Sequence, residues 1–136
     1  MTATDEKAAA ELRRCQYECG SRCCRYITMV IPAPRRKWDF DELSWFLAHD
    51  NISVYVEAGR WHVEVQTTCK HLGRNNLCET YETRPEVCRE YEVKTCEYPQ
   101  RPYHRLHFDT REAFDSWRAG REALQKQRRR ERAARA

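Results

Sequence analysis

The chain has 136 residues, a length typical of one small domain. Because 34% of its residues are charged and only 40% are hydrophobic, the composition excludes a fold that is stabilised by a large hydrophobic core alone. Its formal net charge of +4 is uneven, because eight basic and two acidic residues give residues 118–136 a charge of +6 and leave −2 for the rest. The longest uncharged apolar run, residues 26–32, is too short to cross a bilayer, which argues against a membrane protein. The first residues show no apolar export segment, so we expect a cytoplasmic protein.

The N-terminal segment predicts a helix over residues 3–19, because it is rich in helix formers and has no breaker before Gly20. Cys15 and Cys19 are four residues apart, so they lie on one face of this helix about one turn apart. Gly20 is expected to end the helix in a tight turn that returns two adjacent cysteines to the same place. These residues form the first cysteine group: Cys15, Cys19, Cys23 and Cys24.

A strand and a second helix are predicted next. Residues 25–31 are rich in β-branched and aromatic residues and stop at a Pro-Ala-Pro segment, which is typical of a strand. Asp39 is the predicted N-cap of a helix over residues 40–49, with Glu42 completing a capping pair. Aromatic residues at helical spacing usually fill cores, so we expect core packing rather than a cofactor wall from Trp38, Phe40 and Trp45.

Two alternating segments, residues 52–57 and 61–67, flank the short loop 58–60 and predict a β-hairpin. Its second strand leads directly into Cys69. The hairpin is therefore expected to be a scaffold that sets one thiol at a strand end.

The second cysteine group follows the hairpin. A loop containing Gly73 and two asparagines suits a turn that brings its ends together. Pro85 then predicts the start of a helix, with Thr83 as a nearby capping residue and Tyr91 on the helix. The group comprises Cys69, Cys78, Cys88 and Cys96.

All eight cysteines are predicted metal ligands, because a structural zinc ion or an iron–sulfur cluster usually takes four thiolates and eight is twice four. Disulfides are the alternative, but a reducing cytosol favours metal. Spacing alone leaves zinc, iron and a 4Fe-4S cluster open. Arg25, Arg84 and Arg89 flank the groups and are expected to offset the thiolate charge, whereas Arg22 is expected only to be solvated. His71 is expected at the surface or in contact with a metal ligand, without binding the metal itself. No pattern among the histidines indicates catalysis.

The C-terminal part predicts an edge strand over residues 103–108 and a long helix that starts at Asp109 or Thr110. Asp109 and Glu112 form the predicted capping pair. One apolar face is expected to dock through Phe114, Trp117 and Leu124.

The basic end of that helix is separated from the folded body, so the predicted domains are residues 1–117 and a helical tail over residues 118–136. A solvated helix end is the favoured interpretation of the tail, since no aromatic residue is present to stack on bases. Nucleic-acid binding through it stays an alternative.

The cysteine pattern resembles the YkgJ-like cysteine-cluster family, known for a CxxCxxCC motif and zinc or iron chelation. The likeness covers roughly residues 15–96, and its most specific part runs Cys78-x2-Tyr81-x2-Arg84-Pro85-x2-Cys88. The chain departs from the family in its first motif, where each spacer has three residues instead of two. The resemblance implies metal chelation without implying a reaction, although a related domain occurs in a flagellin lysine methylase.

Together these features predict a small α+β domain stapled by metal, with a β-hairpin, short helices and a long C-terminal helix. A metal-binding module with structural ions is the first functional hypothesis, with a protein partner left unidentified. The second is an iron–sulfur protein that serves electron transfer or assists a methylation-type modification enzyme. Radical enzymes that use S-adenosylmethionine are excluded, because the spacing differs and the chain is too short for their barrel.

Overall fold

The computed structural model describes residues 3–89 and 105–135. It confirms the α+β class, with a four-stranded antiparallel sheet in the order β1-β3-β2-β4. Among the described residues, no helix is both long and apolar enough to cross a membrane. The elements in chain order are α1 (Ala3–Arg13), a π-helix (Arg14–Cys19), a 3-10 turn (Arg22–Cys24), β1 (Tyr26–Ile31), α2 (Lys37–Leu47), β2 (Ile52–Glu57), β3 (Arg60–Gln66), a second 3-10 turn (Tyr81–Thr83), α3 (Glu86–Arg89), β4 (Leu106–Phe108) and α4 (Arg111–Arg135).

The chain forms two compact units. Unit 1 comprises Met1–Thr28 and Val65–Tyr103, and it includes the seven described cysteines. Unit 2 comprises Met29–Glu64 and His104–Ala136. The division of the chain into residues 1–117 and a separate tail stays a prediction.

The hairpin of β2 and β3 is confirmed. Ala58 and Gly59 connect the strands, and both have left-handed backbone angles, with φ of 51° and 75°. Two such residues form the type I′ turn that matches the natural twist of a hairpin. On the other side of β2, β4 pairs antiparallel with Val54 opposite Phe108, so the predicted edge strand exists. The part of that prediction over residues 103–104 lies outside the described residues.

The core of unit 2 forms where α2 and α4 pack near β4. Phe114 on α4 is fully buried, and its ring lies 6.4 Å from that of Phe40 and 5.3 Å from that of Phe108. Leu43 and Leu47 continue the buried face of α2. The three-to-four-residue spacing of Phe40, Leu43 and Leu47 is what a helix with one apolar stripe requires.

Two predictions about α2 are wrong. The helix begins at Lys37, and Asp39 lies inside its first turn, where its carboxylate accepts hydrogen bonds from the backbone N–H groups of Arg35 and Arg36, both at 3.0 Å. Those donors depress the pKa of Asp39 below its usual value. The core-packing prediction fails for Trp38 and Trp45, which are 74% and 60% exposed, because the stripe begun by Phe40 faces the core and the tryptophans lie outside it.

The long helix α4 starts at its cap residue Thr110, as predicted, but the cap is not the predicted pair of Asp109 and Glu112. Thr110 caps the helix by accepting a hydrogen bond from the N–H of Ala113 at 3.2 Å. Asp109 instead accepts a hydrogen bond from the hydroxyl of Ser53 at 2.7 Å and lies 2.9 Å from the His107 ring. At the other end of the predicted apolar face, Leu124 is 47% exposed. Docking of α4 therefore ends before Leu124.

Candidate metal centre

The first cysteine group is placed by a change of helix type. The predicted helix over residues 3–19 is present, but its last part, Arg14–Cys19, is a π-helix. π-Helical turns are rare and occur often at functional sites. Gly20 ends the helix with a left-handed φ of 68°, as predicted, and Ser21 follows with a φ of 55°. This reversal of the chain lets the N–H of Ser21 reach Cys15 O at 2.9 Å, so the residues after the helix fold back beside its last turn.

The adjacent thiols of Cys23 and Cys24 interact with each other. A hydrogen bond from Cys23 lowers the pKa of the Cys24 thiol to about 6, and the positive charges of Arg25 and Arg84 add to the effect. The same hydrogen bond raises the pKa of Cys23, helped by burial and by the nearby thiols of Cys24, Cys15 and Cys19. The structure therefore places the thiols of Cys15, Cys19 and Cys24 close enough to Cys23 for their charges to act on it.

The loop from Cys69 to Cys78 closes on itself, as predicted. Leu72 and Cys78 form an antiparallel bridge, and Gly73 N donates to Leu77 O at 2.7 Å. A Cβ on Gly73 would lie only 3.1 Å from Leu77 O, which explains a glycine at this close backbone approach. The closed loop brings Cys78 back beside Leu72, three residues after Cys69.

Main-chain hydrogen bonds join the two cysteine groups within unit 1. Thr67 N donates to Arg25 O at 2.9 Å, and Cys69 N donates to Cys24 O at 2.7 Å. The first residue of the second group is therefore paired directly with the last residue of the first group. The strand β3 ends at Gln66, three residues before Cys69, and the chain that leaves it meets Cys24; the role of Cys69 as a metal ligand stays a prediction.

Asn76 makes a second connection between the groups, which the sequence analysis missed. Its Nδ2 donates to Gln16 O at 3.1 Å, and its Oδ1 accepts from Arg25 Nη2 at 2.8 Å. Its carbonyl oxygen accepts a hydrogen bond from the hydroxyl of Ser21, a polar residue that is only 5% exposed. With a φ of 63°, Asn76 uses the left-handed conformation that asparagine tolerates. The sequence gives a turn signal here, but no local pattern identifies the distant partners.

The side chains themselves are only partly gathered. None of the seven described cysteines is in a disulfide. Cys15, Cys19, Cys24 and Cys78 are half-buried, whereas Cys23, Cys69 and Cys88 are exposed. Within residues 3–89 and 105–135, no three Cys, His, Asp or Glu side chains are grouped so as to hold a metal ion. Cys96 and Tyr91 lie outside the described residues.

The donors nevertheless fit a thiophilic metal in chemical type. Thiolates are the ligands that zinc, Cu(I) and iron–sulfur clusters prefer. Backbone pairing brings Cys24 and Cys69 together, so thiol-bearing residues of both groups lie on adjoining segments of unit 1. His71 is exposed, in agreement with a position at the surface.

A comparison with protein-family models decides the classification. The model of the CxxCxxCC family, described as a putative zinc- or iron-chelating domain, matches residues 14–117. The chain belongs to the CxxCxxCC family. No curated protein and no solved structure matches it.

The structure explains the arginines and the tyrosine of the family-like segment. Arg84 Nε donates to Tyr81 O at 3.0 Å, and its guanidinium stacks 3.8 Å from the centre of the Tyr81 ring. Arg89 donates to Arg84 O at 3.2 Å and to Glu82 O at 3.1 Å. These contacts hold the turn that precedes Cys88, while the charge of Arg84 also reaches the first group. Arg89 therefore stabilises the turn before Cys88 through hydrogen bonds to backbone carbonyl groups.

The short helix α3 that carries Cys88 begins after Pro85, as predicted. Thr83 does not cap it, because Thr83 lies in the preceding 3-10 turn and its hydroxyl donates to Thr80 O at 3.3 Å. Cys88 N instead donates to Pro85 O at 3.0 Å.

The π-helix offers a reason for the departure from the CxxCxxCC spacing. This chain has three residues between Cys15 and Cys19 where the family motif has two. A π-helix closes each hydrogen-bonded turn with one residue more than an α-helix. The extra residue of the first spacer coincides with the π-helical segment, so the chain accommodates it without leaving the helix.

Proposed function

We propose that the chain is a zinc- or iron-binding protein whose ions are held by thiolates from both cysteine groups. The main observation in support is the hydrogen bond from Cys69 N to Cys24 O at 2.7 Å, which pairs the two groups within one compact unit. Membership of the CxxCxxCC family supports chelation of zinc or iron. The ions are proposed to act chiefly as structural staples of unit 1.

The proposed ligands are the eight cysteines of the two groups, of which Cys96 lies outside the described residues: Cys15, Cys19, Cys23, Cys24, Cys69, Cys78, Cys88 and Cys96. Four thiolates around a divalent ion leave an excess charge of about −2, so nearby cations stabilise the centre. Arg25 and Arg84 supply that charge at Cys24. The lowered pKa of Cys24 favours its thiolate at neutral pH, which is the form that binds metal.

Metal analysis of protein purified without air tests the proposal. A colourless protein that contains about two zinc ions per chain supports two structural four-thiolate sites. A brown protein that contains iron and inorganic sulfide supports the alternative, an iron–sulfur protein that serves electron transfer or assists a modification enzyme of the methylation type. Protein that contains neither metal and titrates as eight free thiols contradicts both.

Substitution of single cysteines tests the ligand assignment. C19S and C88S, one from each group, are expected to lower the metal content and to destabilise unit 1, because metal binding and folding are coupled in small metal sites. H71A is the control, since His71 is exposed and lies two residues from Cys69, and it is expected to keep the full metal content. Full metal retention in both cysteine variants contradicts their assignment.

A further inference from the structure

The distal half of α4, residues 125–135, contains none of the predicted metal ligands, and its features point to a different kind of ligand. The helix continues to Arg135, and every side chain from Ala119 to Arg135 is exposed. Residues 125–135 contain one acidic side chain, Glu131, and six basic ones: Lys126, Arg128, Arg129, Arg130, Arg132 and Arg135. Within the part of the chain that the structure describes, none of the six forms an ion pair.

Contacts in the proximal half fix the helix on unit 2. Phe114 is fully buried, and Arg118 pairs with Asp41 of α2 at 2.7 Å. The distal half is therefore the continuation of an anchored helix. An anchored basic helix loses less conformational freedom on binding than a disordered basic tail does.

The basic side chains form two stripes at helical spacing. Arg128, Arg132 and Arg135 share one side, and Lys126, Arg129 and Arg130 share the nearly opposite side, because neighbours at three, four and seven residues lie on one face. We call these the R128 stripe and the K126 stripe. Each stripe extends along the helix for about 6 to 10 Å, at 1.5 Å per residue. Charge on two opposite sides of one helix suits a ligand that has negative charge on both sides of it.

We propose that the distal half of α4 binds duplex DNA by lying in the major groove, with one basic stripe toward each phosphate backbone. An α-helix with its side chains is about 10 to 12 Å wide, and the major groove is about 12 Å wide. The major groove of duplex RNA is too deep and narrow for the same arrangement. Phosphate contacts of this kind give affinity without reading the base sequence.

Other partners fit this segment less well. Residues 125–135 contain no apolar side chain larger than alanine. A protein interface normally has an aromatic or aliphatic anchor at its centre, and a membrane-surface helix needs an apolar face. The lack of aromatic side chains also disfavours single-stranded nucleic acid, which is bound largely by base stacking. Binding to the phosphates of a duplex requires only basic side chains, and residues 125–135 contain six of them.

Fluorescence anisotropy of the full chain with a labelled duplex of about 20 base pairs tests the proposal. If five or six phosphates are contacted, log Kd against log salt has a slope of magnitude about 5. The triple variants R128Q/R132Q/R135Q and K126Q/R129Q/R130Q are each expected to lower that magnitude by about 2.7, because each removes three contacts. Glutamine keeps the helix propensity of arginine and lysine, and circular dichroism checks that the helix persists.

The matched control R35Q/R60Q/R74Q removes three exposed basic side chains outside α4. It is expected to leave the slope unchanged. An equal loss of slope in the control overturns the proposal in favour of general charge attraction, and so does the absence of any duplex binding by the full chain. Equally tight binding of single-stranded DNA also overturns it, because a single strand has no major groove. Equally tight binding of polyglutamate of the same charge overturns it as well, because polyglutamate has no phosphates.

Discussion

Replacing Asn76 with alanine tests whether this side chain joins the two cysteine groups. N76A removes the hydrogen bond from Asn76 Nδ2 to Gln16 O and the one that Arg25 donates to Asn76 Oδ1, each worth about 1 kcal/mol. The alanine must also adopt the left-handed φ of 63°, at a cost of about 1 kcal/mol. We therefore expect the free energy of unfolding to fall by about 3 kcal/mol.

The control is a second asparagine with the same backbone conformation. Asn51 has a φ of 67°, is exposed, and makes no side-chain hydrogen bond within the described parts of the chain. N51A is expected to cost only the backbone term of about 1 kcal/mol. Urea titrations followed by circular dichroism measure both variants. Equal destabilisation in N76A and N51A shows that the contacts of Asn76 with the first group contribute nothing.

The same pair of variants tests the link between this contact and the metal. Because metal binding is coupled to folding, the difference of about 2 kcal/mol between the variants corresponds to a loss of apparent metal affinity of about thirtyfold. Competition with a chromophoric chelator measures that affinity. If N76A and N51A lose metal to the chelator at the same concentration, Asn76 does not hold the two cysteine groups together.

Two further predictions concern unit 2. The carboxylate of Asp39 accepts two backbone hydrogen bonds that depress its pKa, so its contribution to the stability of the fold is present above its ordinary pKa of about 4 and is lost as the pH falls through the lower folded-state pKa. The melting temperature of D39A should therefore lie below that of the parent chain at pH 7 and approach it in strong acid. A constant difference in melting temperature across that pH range contradicts the assignment. Phe114 is fully buried whereas Leu124 on the same helix is 47% exposed. Urea titrations should therefore show that the free energy of unfolding falls by about 3 to 5 kcal/mol in F114A and by less than about 1 kcal/mol in L124A. Similar losses in the two variants would contradict the difference in packing.

Periodicity predicted the regular elements because their signals are local. The alternation of β2 and β3 and the turn at Gly59 specify a hairpin without reference to the rest of the chain. The apolar stripe of α2 predicted a helix but not its environment, since Trp38 and Trp45 fit helical spacing as well as Phe40 does. Only the packing of Phe114 against Phe40 decides which of these aromatic side chains is buried.

The candidate site was predictable in composition and not in assembly. The cysteine spacing indicates metal ligands, and the segment from Tyr81 to Cys88 indicates the family. The contacts that join the groups span more than 40 residues, as between Cys24 and Cys69. Ordinary polar residues make several of them, Asn76 above all, and such residues carry no chemical signature in the sequence.

The hydrogen bonds from Thr67 N to Arg25 O and from Cys69 N to Cys24 O lie just beyond the ends of β1 and β3, where two steps along one segment match one step along the other. A single residue inserted between Thr67 and Cys69 would therefore leave both strands intact and move the N–H of Cys69 away from Cys24 O. Insertions at this point should separate fold from chelation, giving a protein that is well ordered and cannot close its inorganic centre.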